Sequence, residues 1–231
     1  MIPLIVIRPQ PGCSATVAAA ANLGLDAKAF PLFAVSPQPW TAPPPDAADA
    51  LLIGSANALR HGGSQLAALR HLAVYAVGEA TATAALEAGF AVAATGSGGL
   101  QRVLDRIPAG TRVLRLAGAD HVPLTPPPGV RLAARIIYTS VPQPMPDDLA
   151  NQLAQGAVVL LHSGEAAAHF AAECARLGVP QDAVHLAALA PRVAEAADTG
   201  WASLSVAPTP QDAALLALAA QLCQSGIETR G

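Results

Sequence analysis

The chain states one design twice, and that repetition limits its possible folds more than any single motif does. Residues 50–55 read as a strand ending on Ser55, followed by a helical stretch, a strand over 74–78, a helix over 79–87, the turn Ala88-Gly89-Phe90 and a strand closing on Thr95-Gly96-Ser97. Residues 157–210 replay that order. A strand over 157–162 leads to Ser163, then come a helix, a strand over 185–190, a helix over 191–198, Thr199-Gly200-Trp201 and a strand over 203–207. Strands alternating with helices of this length predict an α/β fold of parallel, doubly wound sheets. Two copies imply two flavodoxin- or Rossmann-like lobes related by internal duplication, with function expected in the cleft between them.

The rest of the chain organises itself around the copies. Residues 4–8 form an opening strand, Pro9-Gln10-Pro11-Gly12 a turn, and 14–22 a helix with Ser14 as N-cap and Gly24 just past its end. Residues 30–35 are extended, and the proline-dense run 37–45 reads as a crossing between lobes. A strand over 112–116, the proline-rich 122–130, an extended 131–138 and the second crossing follow, and a helix over 211–221 ends the pattern. The division is therefore a discontinuous lobe of 1–36 with 141–231 and an inserted lobe of 39–138, joined by a two-stranded linker with crossings near 31–45 and 131–146. In such sheets ligands bind beyond the carboxyl ends of the strands. That rim carries Ser55, Gly78, Gly96, Ser163 and Ala190.

Composition removes several function classes. The 231 residues are 52% hydrophobic but only 3% aromatic and 13% charged, with a net charge of −3. A chain with this balance has no electrostatic footprint for nucleic acid. No run of about eighteen apolar residues escapes interruption by a charge, glycine or proline, so a membrane span is not expected. The N-terminus reads as a buried strand and lacks the basic start of a signal peptide. Cys13, Cys174 and Cys223 are odd in number and form no Cys-x-x-Cys pair, which suits a reducing cytoplasm and three buried thiols.

Familiar catalytic signatures are missing: no phosphate loop, no nucleophile elbow and no His-Glu-x-x-His. Gly96-Ser97-Gly98-Gly99 opens a helix after a strand without completing a dinucleotide fingerprint. His169 and Glu173 share one helix face, but without a third ligand they read as a solvated pair rather than a metal site. His61, His71, His121, His162 and His185 are scattered, and only His162, beside Ser163, draws functional interest. Four strand-to-helix junctions offer more: Ser55-Ala56-Asn57, Glu79-Ala80-Thr81, Ser97-Gly98-Gly99 and Ser163-Gly164-Glu165. Each presents unpaired N–H groups, the positive end of a helix dipole and often a hydroxyl. The competing reading is that these residues are only the N-caps that such turns need in any case. Four together suit a polycarboxylate bound without a cluster of lysines.

These residues resemble the uroporphyrinogen-III synthase family over nearly the whole chain. The likeness rests on the strand ending in Arg8-Pro9, Ser55-Ala56-Asn57-Ala58, Val77-Gly78-Glu79-Ala80-Thr81-Ala82, and Ala88-Gly89-Phe90 running to Gly96-Ser97-Gly98-Gly99-Leu100. The strand with Tyr138-Thr139 and Ser163-Gly164-Glu165-Ala166-Ala167 complete it. The resemblance implies a cofactor-free cyclising lyase that closes hydroxymethylbilane to uroporphyrinogen III, with inversion of ring D and loss of water, in haem and porphyrin biosynthesis. It implies a cytoplasmic monomer, with transient contact to hydroxymethylbilane synthase, and no nucleic-acid or membrane partner. Tyr138 is the implied catalytic group, assisting loss of the hydroxyl; phenols stay protonated at neutral pH and so can donate. Ser55, Thr81 and Ser163 carry over as donors to substrate carboxylates, with Ser97, Gly98 and Gly99 as weaker ones. Arg8 either positions a carboxylate or ties the first strand's end to neighbouring carbonyls.

Two departures stand out. Ala190-Pro191-Arg192-Val193-Ala194 stands where the family commonly has Gly-Pro-x-Thr-Ala, so Val193 lacks a hydroxyl expected in the cleft and Arg192 is a substitute cation. The segment 122–129 is short and proline-rich where relatives often carry a helix. The missing threonine motivates the alternative function, an inactive relative or two-lobed small-molecule binding protein. A flavin protein is disfavoured by the few aromatics and the absent phosphate loop.

Overall fold

Short aliphatic runs separated by helix-length segments favour parallel strands with crossover connections. The structure, a computed structural model, describes residues 2–225. The chain divides into two compact units, one of the residues up to Ala34 with those from Val141 onward, the other of Val35–Ser140. The path begins with β1 (Leu4–Val6), α1 (Gly12–Asn22) and β2 (Ala27–Ala29). It passes through β3 (Phe33–Pro37) to β4 (Ala50–Ile53), α2 (Asn57–His61), a 3-10 segment (Gly63–Leu69) and β5 (Ala73–Val77). There follow α3 (Glu79–Glu87), β6 (Val92–Gly96), α4 (Leu100–Leu104), β7 (Arg112–Gly118) and β8 (Arg131–Pro142). The first unit is completed by α5 (Asp147–Ala154), β9 (Ala157–Leu161), α6 (Gly164–Leu177), β10 (Val184–Ala188), α7 (Pro191–Ala194), β11 (Ser203–Val206) and α8 (Asp212–Ser225).

The first unit holds a parallel sheet in the order β11-β10-β9-β1-β2. Leu4, Ile5 and Val6 pair with Val158, Val159 and Leu160, and all six are fully buried. Period-two alternation sends these residues to two cores. Ile5 and Val159 pack with Leu149, Leu153 and Phe170, whereas Leu4, Val6, Val158 and Leu160 pack with Ala20, Leu215, Leu216 and Ala219. Cover on both faces explains why these strands read as unbroken apolar runs.

In the second unit the order is β3-β8-β7-β4-β5-β6, with every pairing from β8 to β6 parallel. Central β4 sends Leu51 and Ile53 to one core and Leu52 to the other. The connection from β7 to β8 contains no helix, in keeping with its prolines. It is fastened instead by Gln101, whose Nε2 donates to the Thr125 carbonyl at 2.7 Å while its Oε1 accepts from the Thr125 N–H at 3.0 Å. Arg115 adds a bond from Nη1 to the Val122 carbonyl at 2.7 Å.

Several sequence expectations are corrected. Helix α1 starts two residues early, and Ser14 is no N-cap: its N–H and hydroxyl both donate to Gln10 Oε1, at 3.1 and 2.9 Å. Strand β2 and helix α5 are additions to the expected elements, β2 escaping notice because Ala27-Lys28-Ala29 is short and carries no apolar run. His169 and Glu173 are not a solvated pair. Glu173 is 9% exposed, takes the Met145 N–H at 2.6 Å and binds Arg176 through both oxygens, which holds its carboxyl at about 2. His169 reaches the Gln143 carbonyl at 2.8 Å. The two therefore fasten residues 143–145 against α6. All three cysteines are buried, and burial pushes the Cys174 thiol up to about 12 and Cys223 to about 11.

Candidate functional site

A parallel sheet opens a crevice where successive connections leave in opposite directions. In the second unit that reversal falls between β4 and β7, because β5 and β6 extend one way and β8 the other. Ser55 follows β4 and Gly118 ends β7. Tyr138, on β8, is the register partner of Gly118 across a local irregularity in the pairing. The phenol lies on the bare backbone there: a methyl group on Gly118 would stand 2.7 Å from Cε2, 2.8 Å from Cζ and 3.1 Å from Oη. The imidazole of His61, the last residue of α2, contacts the same ring with centroids 6.3 Å apart. Desolvation, then the nearby Arg60 charge, lowers the His61 pKa, which favours the neutral ring. His121 Nδ1 is 2.9 Å from the Gly118 carbonyl.

The first unit reverses between β1 and β9. There Arg8 Nη1 donates to Asp212 Oδ2 at 2.9 Å and to Thr16 Oγ1 at 3.3 Å, and the Thr16 hydroxyl donates to the same Asp212 oxygen at 3.0 Å. His162 Nε2 stands 3.2 Å from the other Asp212 oxygen. That distance is within ion-pair range, although the ring nitrogens make no hydrogen bond of good geometry. His162, then Arg8, hold the Asp212 carboxyl at about 2 against the opposing effect of burial. Gly12 makes the arrangement possible, since a Cβ there would lie 2.7 Å from Arg8 Nε. The cluster ties β1, β9, α1 and α8 together.

The family model for uroporphyrinogen-III synthase HemD matches residues 14–217. The chain belongs to the uroporphyrinogen-III synthase family. Membership carries the family's function, formation of uroporphyrinogen III in tetrapyrrole biosynthesis. Among solved structures, the uroporphyrinogen-III synthetase of Helicobacter pylori 26695 shares the fold with a TM-score of 0.64, at 18% identity over 96% of this chain and 100% of its own. A mutant uroporphyrinogen III synthase of the extremely thermophilic bacterium Thermus thermophilus is 16% identical over 98% of this chain and 99% of its own, with a TM-score of 0.49. None of the curated proteins compared is similar enough to count as a relative.

Against the pattern of that synthase family, the expected site residues separate into distinct settings. Tyr138 and Ser55 sit in the second unit beside its reversal point. Ser55 Oγ accepts from the Asn57 N–H at 3.2 Å, which leaves its own proton to give. Ser97, Gly98 and Gly99 are exposed after β6. The φ values of +80° and +108° at Gly98 and Gly99 admit glycine and little else, and Arg102 lies close over Gly98. Thr81 is only 5% exposed on the first turn of α3, which leaves it little surface to offer a ligand. In the first unit Ser163 caps α6, its Oγ accepting from the Ala166 N–H at 3.2 Å. Arg192 is exposed on α7. Val193 is 1% exposed in the core with Phe170 and Ala197. A side chain there faces the core, so the absent threonine hydroxyl says nothing about the rim.

Sequence reasoning missed Thr16, Asp212, Gly118 and the partnership of His61 with Tyr138. It took Arg8 as a ligand for carboxylate or carbonyl groups, and the structure pairs it with a carboxylate of the protein itself. No motif marked these residues; Asp212, for one, lies 204 residues from the Arg8 it pairs with. Among the described residues no cluster of His, Cys, Asp or Glu fits a metal ion, and no helix is long and apolar enough to cross a membrane.

Proposed function

We propose that this chain closes hydroxymethylbilane to uroporphyrinogen III without a cofactor, with the Tyr138 phenol assisting departure of the terminal hydroxyl. The observation that carries the reading is the family match over residues 14–217, joined to a phenol held at the reversal point of the second unit's sheet. The hydroxyl leaves with its bonding electron pair, takes up a proton and departs as water, while a pyrrole nitrogen supplies electrons to form the azafulvene. Ring D attacks through its substituted α-carbon, and the resulting spiro intermediate fragments and recloses with ring D inverted. The proton lost when the last pyrrole regains aromaticity balances the one taken up by the hydroxyl.

Unassisted closure gives the type I isomer, so the protein's task is to hold a conformation and time the loss of water. We assign the carboxylates of the substrate to Ser55, to the Ser97-Gly98-Gly99 turn, to Ser163 and to Arg192. Arg8 contributes only through the nitrogens that Asp212 leaves open, and Thr81 contributes least. Supplying freshly made hydroxymethylbilane, oxidising the products and separating the uroporphyrin isomers tests this directly. Dominant type III is the expected result; type I alone, formed at the rate without protein, overturns it.

A further inference from the structure

We propose that Gly118 and His61 are positioning residues that together clamp the Tyr138 phenol and so aim its hydroxyl. This rests on the reading of Tyr138 as the group that assists loss of water.

The geometry follows from how β7 and β8 end. Parallel neighbours ordinarily carry side chains that pack against one another on each face. At Gly118 there is none, and the ring of Tyr138 occupies the vacated space, so closely that a single added carbon would stand 2.7 Å from it. Real Cβ contacts do not come so near; any side chain at 118 must push the ring away or bend the strand. Gly118 does not need glycine for its backbone angles, since it is absent from the positive-φ glycines. Its small size serves the phenol.

His61 also stands against the ring, with centroids 6.3 Å apart at a tilt of 41°. Its backbone is steadied by the bond from Trp40 Nε1 to the carbonyl of the next residue, Gly62, at 2.9 Å. A half-buried neutral imidazole makes a suitable wall, because it packs on a ring without bringing a charge that would compete with the substrate for the phenol. The Ala119 N–H donates to the Tyr138 carbonyl at 2.9 Å and fixes the strand beneath. Small misplacements of a reacting group cost large factors in rate. Two contacts that hold the phenol are a direct way to avoid them.

The test is a set of variants assayed for type III product. Gly118→Ala is expected to lower kcat at least tenfold with KM within threefold of the parent, and to raise the share of type I product. In a Tyr138→Phe background, the same Gly118→Ala change is expected to cost less than twofold, since no hydroxyl remains to misdirect. His61→Ala is expected to cost about three- to fivefold in kcat, and His61→Phe, which keeps a flat wall, to recover most of it. The histidine series stands even if Gly118→Ala does not fold. An equal loss from Gly118→Ala with and without the Tyr138 hydroxyl overturns the clamp, as does an unchanged kcat in Gly118→Ala or His61→Ala while Tyr138→Phe is impaired. An unchanged kcat in Tyr138→Phe removes the underlying reading instead, and the clamp with it.

Discussion

At the reversal point of the first sheet, Arg8, Thr16 and Asp212 spend hydrogen bonds on one another with His162 in ion-pair range; at that of the second, a phenol rests on bare backbone beside an imidazole. Arg8, Thr16 and His162 all converge on Asp212. Tyr138 is met by Gly118 and His61, neither of which offers it a charge. Partly buried charges must be paired to be tolerated, and once paired they have less to give a ligand. The first reversal point is therefore organised for holding elements together. The second packs its phenol against a glycine and an imidazole instead.

The largest expected effect separates the two directly. Tyr138→Phe is expected to cost at least about a hundredfold in kcat, the lower range for loss of a general acid. Arg8→Ala is expected to raise KM while kcat stays within threefold. Steady-state kinetics of type III formation check both, and a kcat loss in Arg8→Ala matching that of Tyr138→Phe would break the comparison.

Next in size are the two serines. Ser163 caps the fourteen-residue α6, so Ser163→Ala is expected to destabilise the protein by about 1 kcal/mol. Ser55 supports only the five-residue α2, and Ser55→Ala is expected to cost less than half as much. Urea unfolding curves for the pair would sharpen the contrast, and a larger cost for Ser55→Ala would reverse it.

The smallest effect is the acid dependence of the Arg8 cluster. The Asp212 carboxyl is held down at about 2 in the folded protein, against about 3.9 for an unperturbed aspartate. A lowered carboxyl contributes stability in full above the unfolded value and loses it as pH falls toward the folded value. Asp212→Asn is thus expected to cost about 1 kcal/mol or less at neutral pH, the aspartate side chain being 43% exposed and screened. It is also expected to flatten the decline in stability between about pH 4 and pH 2. Thermal melts of parent and variant across that window check it; parallel curves would show that the cluster contributes nothing.

Much of the fold was legible for local reasons. The buried strands announced themselves as apolar runs, and α3 spans the residues 79–87 expected of it. Gly24 falls just beyond α1 with φ +73°. What failed locally also has a local cause. Ser14 looks like a cap until a glutamine four residues earlier supplies the acceptor, and longer side chains at such turns are harder to read than Ser or Asp. The similar stretches each build three consecutive parallel strands, β4-β5-β6 and β9-β10-β11. The sheets are then completed on different plans, by β7 and β8 in one and by β1 and β2 in the other, which no comparison of the two stretches revealed.

The candidate site was legible only in part. Tyr138, Ser55 and Ser163 were named from motifs, but Val193 was expected to face a ligand and instead fills the core, because a helix turn decides which side of a residue is inward. Asp212 meets Arg8 only after nearly the whole chain has been laid down between them.

By itself, then, the sequence determined most of the elements, their order and the family: periodicity, glycine and serine act over a few residues, and their effect is written where they stand. Only the tertiary structure decided that Gly118 lies under Tyr138 and Asp212 over Arg8. Such pairs depend on strand register and on how helices dock, which are set by the packing of whole cores and leave no mark on the residues between.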